Sequence, residues 1–363
     1  MVKNGFINNL IVAPFLTLRP TYIHLKRQKY LCKSCHSIFV AQTDFVWEYC
    51  QISQPVRQMI LTEAAHNSSL KDIARRFNVS DRTVQRVIDI EAEKHFDHST
   101  EFLPRHIAFD KFKSTNKMSF IWCDSDTKRL GEILEKRTSY QIQKYFERFP
   151  LKVRRRVRTV TLDLNAGHIN LVPKLFPKAK IVADRSHIVQ MISRSLNAKR
   201  IQVMKTQPKL SRTYRFMKRA WKLFLKPWEK IEQKEVVYQR SVGYNETELN
   251  LITMCLDLDE SFKKTYETYQ SALKAIKTGN AMELNKVIDS YKKLDNPMDT
   301  TFKTFKKHRG PVLNVLKYSY SNGVVEGMIG RIKKIKNSAY GYKNLGNFIT
   351  RIKLQMVWIP ANA

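Results

Sequence analysis

Arg158-Thr-Val-Thr-Leu-Asp-Leu-Asn-Ala-Gly167 is a short β-branched and apolar run that stops on an aspartate. Such runs, bounded by turn formers, read as buried strands, so this one predicts a strand over 158–162 with Asp163 at its end. Three more strands are predicted upstream, over 106–112, 118–123 and 129–134, with turns at Asn116-Lys117 and around 125–128. A helix over 139–149 follows them. Downstream come a helix over 166–175, a strand over 180–183 and a long helix from Arg185. Three strands and then alternating helix and strand predict an α/β domain, its mixed sheet carrying helices on both faces.

Two further acids stand out in a chain dominated by positive charge. Asp110, in His106-Ile-Ala-Phe-Asp, closes the first strand, and Glu326, in Ser321-Asn-Gly-Val-Val-Glu-Gly, opens a lysine-rich helical stretch. Two aspartates at strand ends and a glutamate on a later helix can converge on a pair of magnesium ions, which prefer oxygen ligands; manganese would suit the same donors. Two such ions can activate an attacking oxygen and stabilise a leaving oxygen in an in-line displacement at phosphorus. Each acid also has a plainer reading. Asp163 can cap a helix beginning near Asn165-Ala166, Glu326 can form a surface salt bridge, and Asp124 and Asp126 compete with Asp110 because they too follow a strand. Asp184-Arg-Ser-His187 follows the fifth strand. Asp184 reads at minimum as a helix cap, and Asp184 and His187 would lie near the rim of the site. After Glu326, Gly327 and Gly330 allow close approach, while Arg331, Lys333, Lys334 and Lys336 would hold phosphates.

The 363 residues carry 65 Lys+Arg against 32 Asp+Glu, a net charge of +33 with a pI near 10.0. An excess of this size answers a polyanion, and double-stranded DNA is the leading partner. The run over 10–18 is too short to span a bilayer and is broken by Pro14, so no membrane partner is expected. No signal-peptide pattern opens the chain. Five cysteines with one close pair fit a reducing cytoplasm better than a disulfide framework.

Residues 1–48 read as short strands ending in Tyr30-Leu-Cys-Lys-Ser-Cys, the knuckle of a partial zinc ribbon in which Cys32 and Cys35 would take two corners of a zinc site. His24 and His36 are the substitutes available for the other two. Residues 49–97 read as a helix-turn-helix: Pro55 suits a first turn, Ser69 and Ser80 cap the second and third helices, and Asn78-Val79 makes the turn. Arg82, Thr83, Gln85 and Arg86 then face out, where Arg and Gln can read base edges. The sheet domain is expected over 98–192 and 313–363, interrupted by an all-helical insertion over 193–312. Basic residues and aromatics interleave in that insertion, and the aromatics read as core.

The order of elements is that of a ribonuclease-H-like domain. Together with the knuckle, the helix-turn-helix, Phe176-Pro-Lys-Ala-Lys-Ile-Val-Ala-Asp184, and Ser321-Asn-Gly-Val-Val-Glu-Gly followed by Ala339-Tyr-Gly-Tyr, it resembles the bacterial insertion-sequence transposases of the ISL-three family over nearly the whole chain. The resemblance implies a DDE catalytic domain with a helical insertion before the glutamate, its acids falling on Asp110, Asp163 and Glu326. It also implies binding to terminal inverted repeats, magnesium-dependent strand transfer into target DNA, and a homo-oligomeric synaptic complex in a bacterial cytoplasm, at the nucleoid. The chain departs from the family pattern by having one knuckle where two are usual, and by Lys111, Ser186 and Ile329. A transposase-derived DNA-binding protein that does not cut is the alternative.

Overall fold

The computed structural model of the chain describes residues 1–358 other than 17–18, 49, 96–98, 165 and 241. The helix-cap reading of Asp163 involves Asn165 and so lies outside the described residues.

β1 (Val2–Leu16) and β2 (Arg19–Leu31) form one long antiparallel hairpin, to which β3 (Ile38–Val40) adds a short strand. The expected short strands mark only parts of this ribbon. Polar residues such as Asn8 and Lys26 lie opposite one another within it, because a ribbon exposed on much of both faces is continued by backbone pairing and needs no unbroken apolar run. The ribbon leans on three helices, α1 (Gln54–Ala64), α2 (Leu70–Phe77) and α3 (Asp81–Lys94). Val12 exchanges backbone hydrogen bonds with Gln51 and Ser53, at 2.8 and 3.0 Å, and the Phe15 ring stacks on Phe77 at 5.8 Å.

The helix-turn-helix forms where its caps predict. Ser69 Oγ accepts from Asp72 N–H and Ser80 Oγ from Thr83 N–H, at 3.2 and 3.1 Å. Asn78 ends α2 in the left-handed region, with φ 50°, which Asn tolerates better than most residues. Ile60, Ile73, Ala74, Phe77, Val84 and Ile88 close the core.

The central sheet comprises β4 (His106–Lys113), β5 (Met118–Asp124), β6 (Leu130–Leu134), β7 (Thr159–Leu162) and β8 (Lys180–Ala183), in the order β6-β5-β4-β7-β8. The first three form an antiparallel meander, and β7 and β8 extend it in parallel from β4. The connections are α4 (Ser139–Glu147) and α5 (Leu151–Arg154) between β6 and β7, and α6 (Ala166–Leu175) between β7 and β8. Phe109, Phe120, Trp122, Val160 and Leu162 pack on one face against Phe146, Val172 and Phe176. β8 leads into α7 (Arg185–Thr206), whose start is capped by Asp184 as expected.

β6 makes one close approach. A Cβ added to Gly131 would lie 2.3 Å from the ring of the buried Trp122. Gly131→Ala is therefore expected to destabilise the protein by about 1–3 kcal/mol through overpacking. A urea-unfolding midpoint equal to that of the unsubstituted chain would refute this.

The insertion holds α8 (Arg212–Arg219), β9 (Val237–Gln239), β10 (Tyr244–Glu246), α9 (Glu248–Leu256), α10 (Glu260–Thr278), α11 (Ala281–Ser290), α12 (Pro297–Lys307) and α13 (Arg309–Lys317). It is not all-helical. β9 and β10 pair as a small hairpin, favoured by Val237-Tyr238 and by Gly243 at φ 81°. Phe216 and Phe224 are core residues as expected, whereas Trp221 and Trp228 stand partly exposed. α13 covers the free edge of β8, and Asn314 Nδ2 donates to the Ile181 carbonyl at 2.8 Å. The chain then returns to the sheet with α14 (Gly323–Ser338) and α15 (Leu345–Lys353), followed by a π-helical turn, Leu354–Trp358. Val325, Met328, Ile332, Phe348 and Ile352 cover the second sheet face, over Ala108, Phe112, Ile121 and Cys123.

Candidate active site

Strand register brings the first acids together. In the parallel pair β4–β7, His106 lies opposite Thr159, Ile107 opposite Val160 and Ala108 opposite Thr161. Two steps further, the same offset sets Asp110 beside Asp163. In β7–β8, Leu162 lies opposite Ala183, and one step further sets Asp163 beside Asp184. Side chains alternate across a strand. Ile107 and Phe109 point into one core and Ala108 and Phe112 into the other, so Asp110 faces the side covered by α14. Asp163, one step beyond Leu162, shares that side. The sequence puts Asp110 at the close of its strand, and the structure departs from this. β4 runs on to Lys113, because the antiparallel partner β5 extends past the point where β7 stops, pairing Asp110 with Ile121.

Glu326 lies in the first turn of α14 and is exposed, while its neighbours Val325, Met328 and Ile329 are buried against the sheet. One buried residue ties this turn to the row of aspartates. Asn322, only 1% exposed, donates its backbone N–H to Asp184 Oδ1 at 3.1 Å and its side-chain Nδ2 to the Phe109 carbonyl at 3.1 Å. Its own carbonyl accepts from Glu326 N–H at 2.9 Å. Asp184 in turn donates its N–H to the Leu162 carbonyl at 3.0 Å and accepts from His187 N–H at 3.0 Å and from the Ser186 hydroxyl. The residues immediately preceding Asp110 and Asp163, and the turn holding Glu326, thus belong to one hydrogen-bond network. Asp184 spends its carboxylate within it. His187 Nδ1 lies 3.9 Å from Asp163 Oδ1.

Burial pushes the Asp110 carboxyl up to about 6, and the negative charges of Asp163 and Glu326 add to the rise, while the Lys111 N–H pulls the other way. Asp110 therefore senses both other acids. Their donors are all hard carboxylate oxygens, the set that suits magnesium or manganese. Even so, among the described residues no three His, Cys, Asp or Glu side chains are already grouped closely enough to hold a metal ion.

Asp124 and Asp126 serve a different task. Asp124 accepts from Asp126 N–H and the Thr127 hydroxyl, at 2.9 and 2.6 Å, shaping the β5–β6 turn. It pairs with Ile107, three residues and about 10 Å along β4 from Asp110. Asp126 accepts from the Tyr320 hydroxyl at 3.1 Å.

Along α14, Arg331, Lys333 and Lys334 are exposed. Lys336 is half-buried with Nζ 3.4 Å from the Thr115 carbonyl, about 15 Å up the helix from Glu326, and is not brought to the acids. On α3, Arg82 and Arg86 are exposed. Thr83 shares a hydrogen bond with Ser80 Oγ at 2.9 Å and Gln85 donates to Asp89 at 2.8 Å.

The Cys32–Cys35 knuckle forms a tight turn, with Cys32 N–H donating to Ser37 O and His36 N–H to Cys32 O, both at 2.9 Å. Hydrogen bonds, chiefly to Ser37 and secondarily to Cys32, hold the Cys35 thiol below its ordinary value. The histidine substitutes do not complete a site, since no third ligand joins the pair among the described residues. His24 sits far along β2, opposite Leu10, about 25 Å of extended chain from the knuckle.

Asn322, which joins the aspartate row to the turn of Glu326, is a residue that the sequence does not single out; the Asn322-Gly323 pair at the start of α14 was the signal available for it.

The element order, the helix-turn-helix and the acidic row define a DNA-handling α/β protein of the transposase class. Residues 107–352 match a family described as transposase, of the DDE type in ISL3 elements, and residues 41–89 match the helix-turn-helix domain of transposase family ISL3. The chain belongs to the ISL3 family of transposases. The transposase for insertion sequence element IS1001 of Bordetella parapertussis is 20% identical over 352 residues, covering 94% of this chain and 82% of that protein. A Lactococcus lactis subsp. lactis protein named ATP-dependent protease is 29% identical over 123 residues, 34% of this chain and 40% of that protein. The chain contains no Gly-x-x-x-x-Gly-Lys-Ser/Thr phosphate loop. No helix among the described residues is long and apolar enough to cross a membrane.

Proposed function

We propose that this chain is the strand-cutting and strand-joining enzyme of an insertion sequence, gripping terminal inverted repeats through the helix-turn-helix and exchanging phosphodiesters at Asp110, Asp163 and Glu326. One observation carries the reading: Asp110 is half-buried and feels both other acids, which come from residues 53 and more positions away in sequence. Clustering like charges destabilises a protein unless a cation answers them. The order β6-β5-β4-β7-β8 supports a ribonuclease-H-like domain.

Magnesium or manganese, held by the three carboxylates, would supply Lewis-acid chemistry to the attacking and leaving oxygens. Asp110 and Asp163 stand on a rigid sheet as fixed oxygen donors. Glu326, exposed on the first turn of α14, is the third oxygen donor. His187 is placed to orient Asp163. Arg331, Lys333 and Lys334 hold phosphates beside the acids.

In the cutting step, a water oxygen bonds to phosphorus and the P–O3′ bond breaks, its electron pair leaving on the 3′ oxygen, which takes up a proton. In the joining step, that 3′ hydroxyl attacks a target phosphodiester, and the target's own P–O3′ bond breaks. Two ends must be handled together, so the working form is a synaptic homo-oligomer. Its setting is the bacterial cytoplasm, at the nucleoid.

The test is incubation with duplex DNA flanking the gene. Nicking at the element boundary is expected with Mg²⁺ and not with EDTA, while binding persists in EDTA. Binding without nicking under any divalent cation would leave the non-catalytic DNA-binding alternative in its place. Arg82→Ala and Arg86→Ala are each expected to weaken binding about 10-fold or more, as loss of a base or phosphate contact does. Unchanged affinity in both would remove α3 from the interface.

A further inference from the structure

α15 and the π-helical turn that continues it have two working faces. On one, Phe348 and Ile352 are fully buried in the sheet core with Val325 and Ile332 of α14, and Lys353 Nζ reaches Glu132 on β6 at 2.7 Å. On the other, Leu354 enters the core of the helix-turn-helix. Beside it, Arg351 Nη2 donates to the carbonyls of His66 and Ser68, at 3.2 and 2.8 Å, and Gln355 Nε2 to those of Ala64 and His66, at 3.1 and 2.6 Å. These carbonyls end α1 and form the α1–α2 turn, where a helix carries partial negative charge; that of His66 also accepts from Ser68 N–H at 2.9 Å.

Arg351 is a poor choice for stability alone. It is 2% exposed, and its Nε and Nη1 have no partner among the described residues. Burying a charge with donors unspent costs more than an apolar side chain of similar size would. One amine of a planar guanidinium, held to two carbonyls, restricts orientation, which a methionine or leucine would not. The Arg351–Gln355 joint therefore constrains how α3 is oriented relative to α14, the helix that carries Glu326.

We propose that Arg351 and Gln355 are specificity-determining residues: they set the offset between the DNA sequence gripped by the helix-turn-helix and the phosphodiester delivered to Asp110, Asp163 and Glu326. The proposal rests on the DNA-cutting reading above. Neither residue touches the reacting atoms, so both act as positioning residues, and the quantity they control is where the cut falls.

The test compares Arg351→Met and Gln355→Leu with the unsubstituted chain on end-labelled duplexes carrying the gene's flanking DNA. Footprint and affinity are expected to stay within about threefold, since α3 is untouched. Cuts at a single bond in the unsubstituted chain are expected to spread over several neighbouring bonds. Sharp cutting at the original bond by both variants would overturn the proposal. A readout independent of activity comes from a photo-crosslinking amino acid substituted for Lys333. Its crosslink to DNA should fall at one position relative to the footprint, and should smear when either joint residue is changed. If the unsubstituted chain never cuts yet the crosslinks smear, the enzymatic reading fails and the joint stands. If the crosslinks keep their register, the joint fails. Gln355→Leu covers the case in which Arg351→Met does not fold.

Discussion

Asp163→Asn and Asp110→Asn are each expected to lower divalent-dependent DNA cutting at least about 1,000-fold while leaving DNA affinity within about twofold. An amide keeps the size of the side chain and loses the negative oxygen needed to bind a hard cation. The helix-turn-helix has its own core, so binding has no reason to follow activity. Retained cutting in either variant would exclude that residue from the chemistry.

Asp110→Asn has a second, opposite consequence. The folded state raises this carboxyl from 3.8 to about 6, so it binds the proton more tightly than the unfolded chain does. Ionised Asp110 therefore lowers stability progressively as pH rises from 3.8 to about 6, and the full penalty applies above that range. A shift of roughly two units corresponds to about 3 kcal/mol at most, and partial exposure reduces this to about 1–2 kcal/mol. In EDTA at pH 7–8 the variant should melt several degrees higher than the unsubstituted chain, and at pH 4 the gap should close. A variant that melts lower at pH 8 would mean that the charge is already compensated in the free protein.

Asn322→Leu is expected to reduce cutting about 100-fold through position alone. The substitution preserves the backbone bonds to Asp184 and Glu326 and removes the side-chain bond to the Phe109 carbonyl. Asn322 Oδ1 is buried with no partner among the described residues, so losing it offsets part of the lost donor, and the melting temperature should change little. The start of α14 is then no longer tied to β4 next to Asp110. A misplacement of about 1 Å at a reacting centre can cost about 100-fold in rate. The Mg²⁺ concentration giving half-maximal cutting should rise, which a merely structural residue would not cause. Unchanged cutting and unchanged Mg²⁺ dependence would show that the network is scaffolding only.

Much of the architecture is legible along the chain because it is local. Ser69, Ser80 and Asp184 cap their helices through donors three residues away, and β7, α6 and β8 lie where short apolar runs and helical spacing put them. The N-terminal ribbon is less legible because an exposed hairpin is held by backbone bonds that any side chain allows. The β9–β10 hairpin was hidden for a related reason, being a pair of three-residue strands inside a long helical context.

The acids were legible as types and the site was not legible as geometry. Strand ends and a lysine-rich helix suggest Asp110, Asp163 and Glu326, but nothing local separates Asp110 from Asp124. The difference is the face and the partner. Asp124 turns to its own loop, and Asp110 shares a register row with Asp163 beneath α14.

Composition, capping and period thus sufficed for a basic, DNA-seeking chain with a helix-turn-helix ahead of an α/β domain, since those features depend on neighbours within a few residues. Folding in three dimensions decided which aspartates share a register row beneath α14, that Asn322 ties this row to α14, and that Arg351 ties α15 to the helix-turn-helix. Those contacts join residues 213 and 285 positions apart, and hydrogen bonds over such spans leave no periodic trace in the order of amino acids.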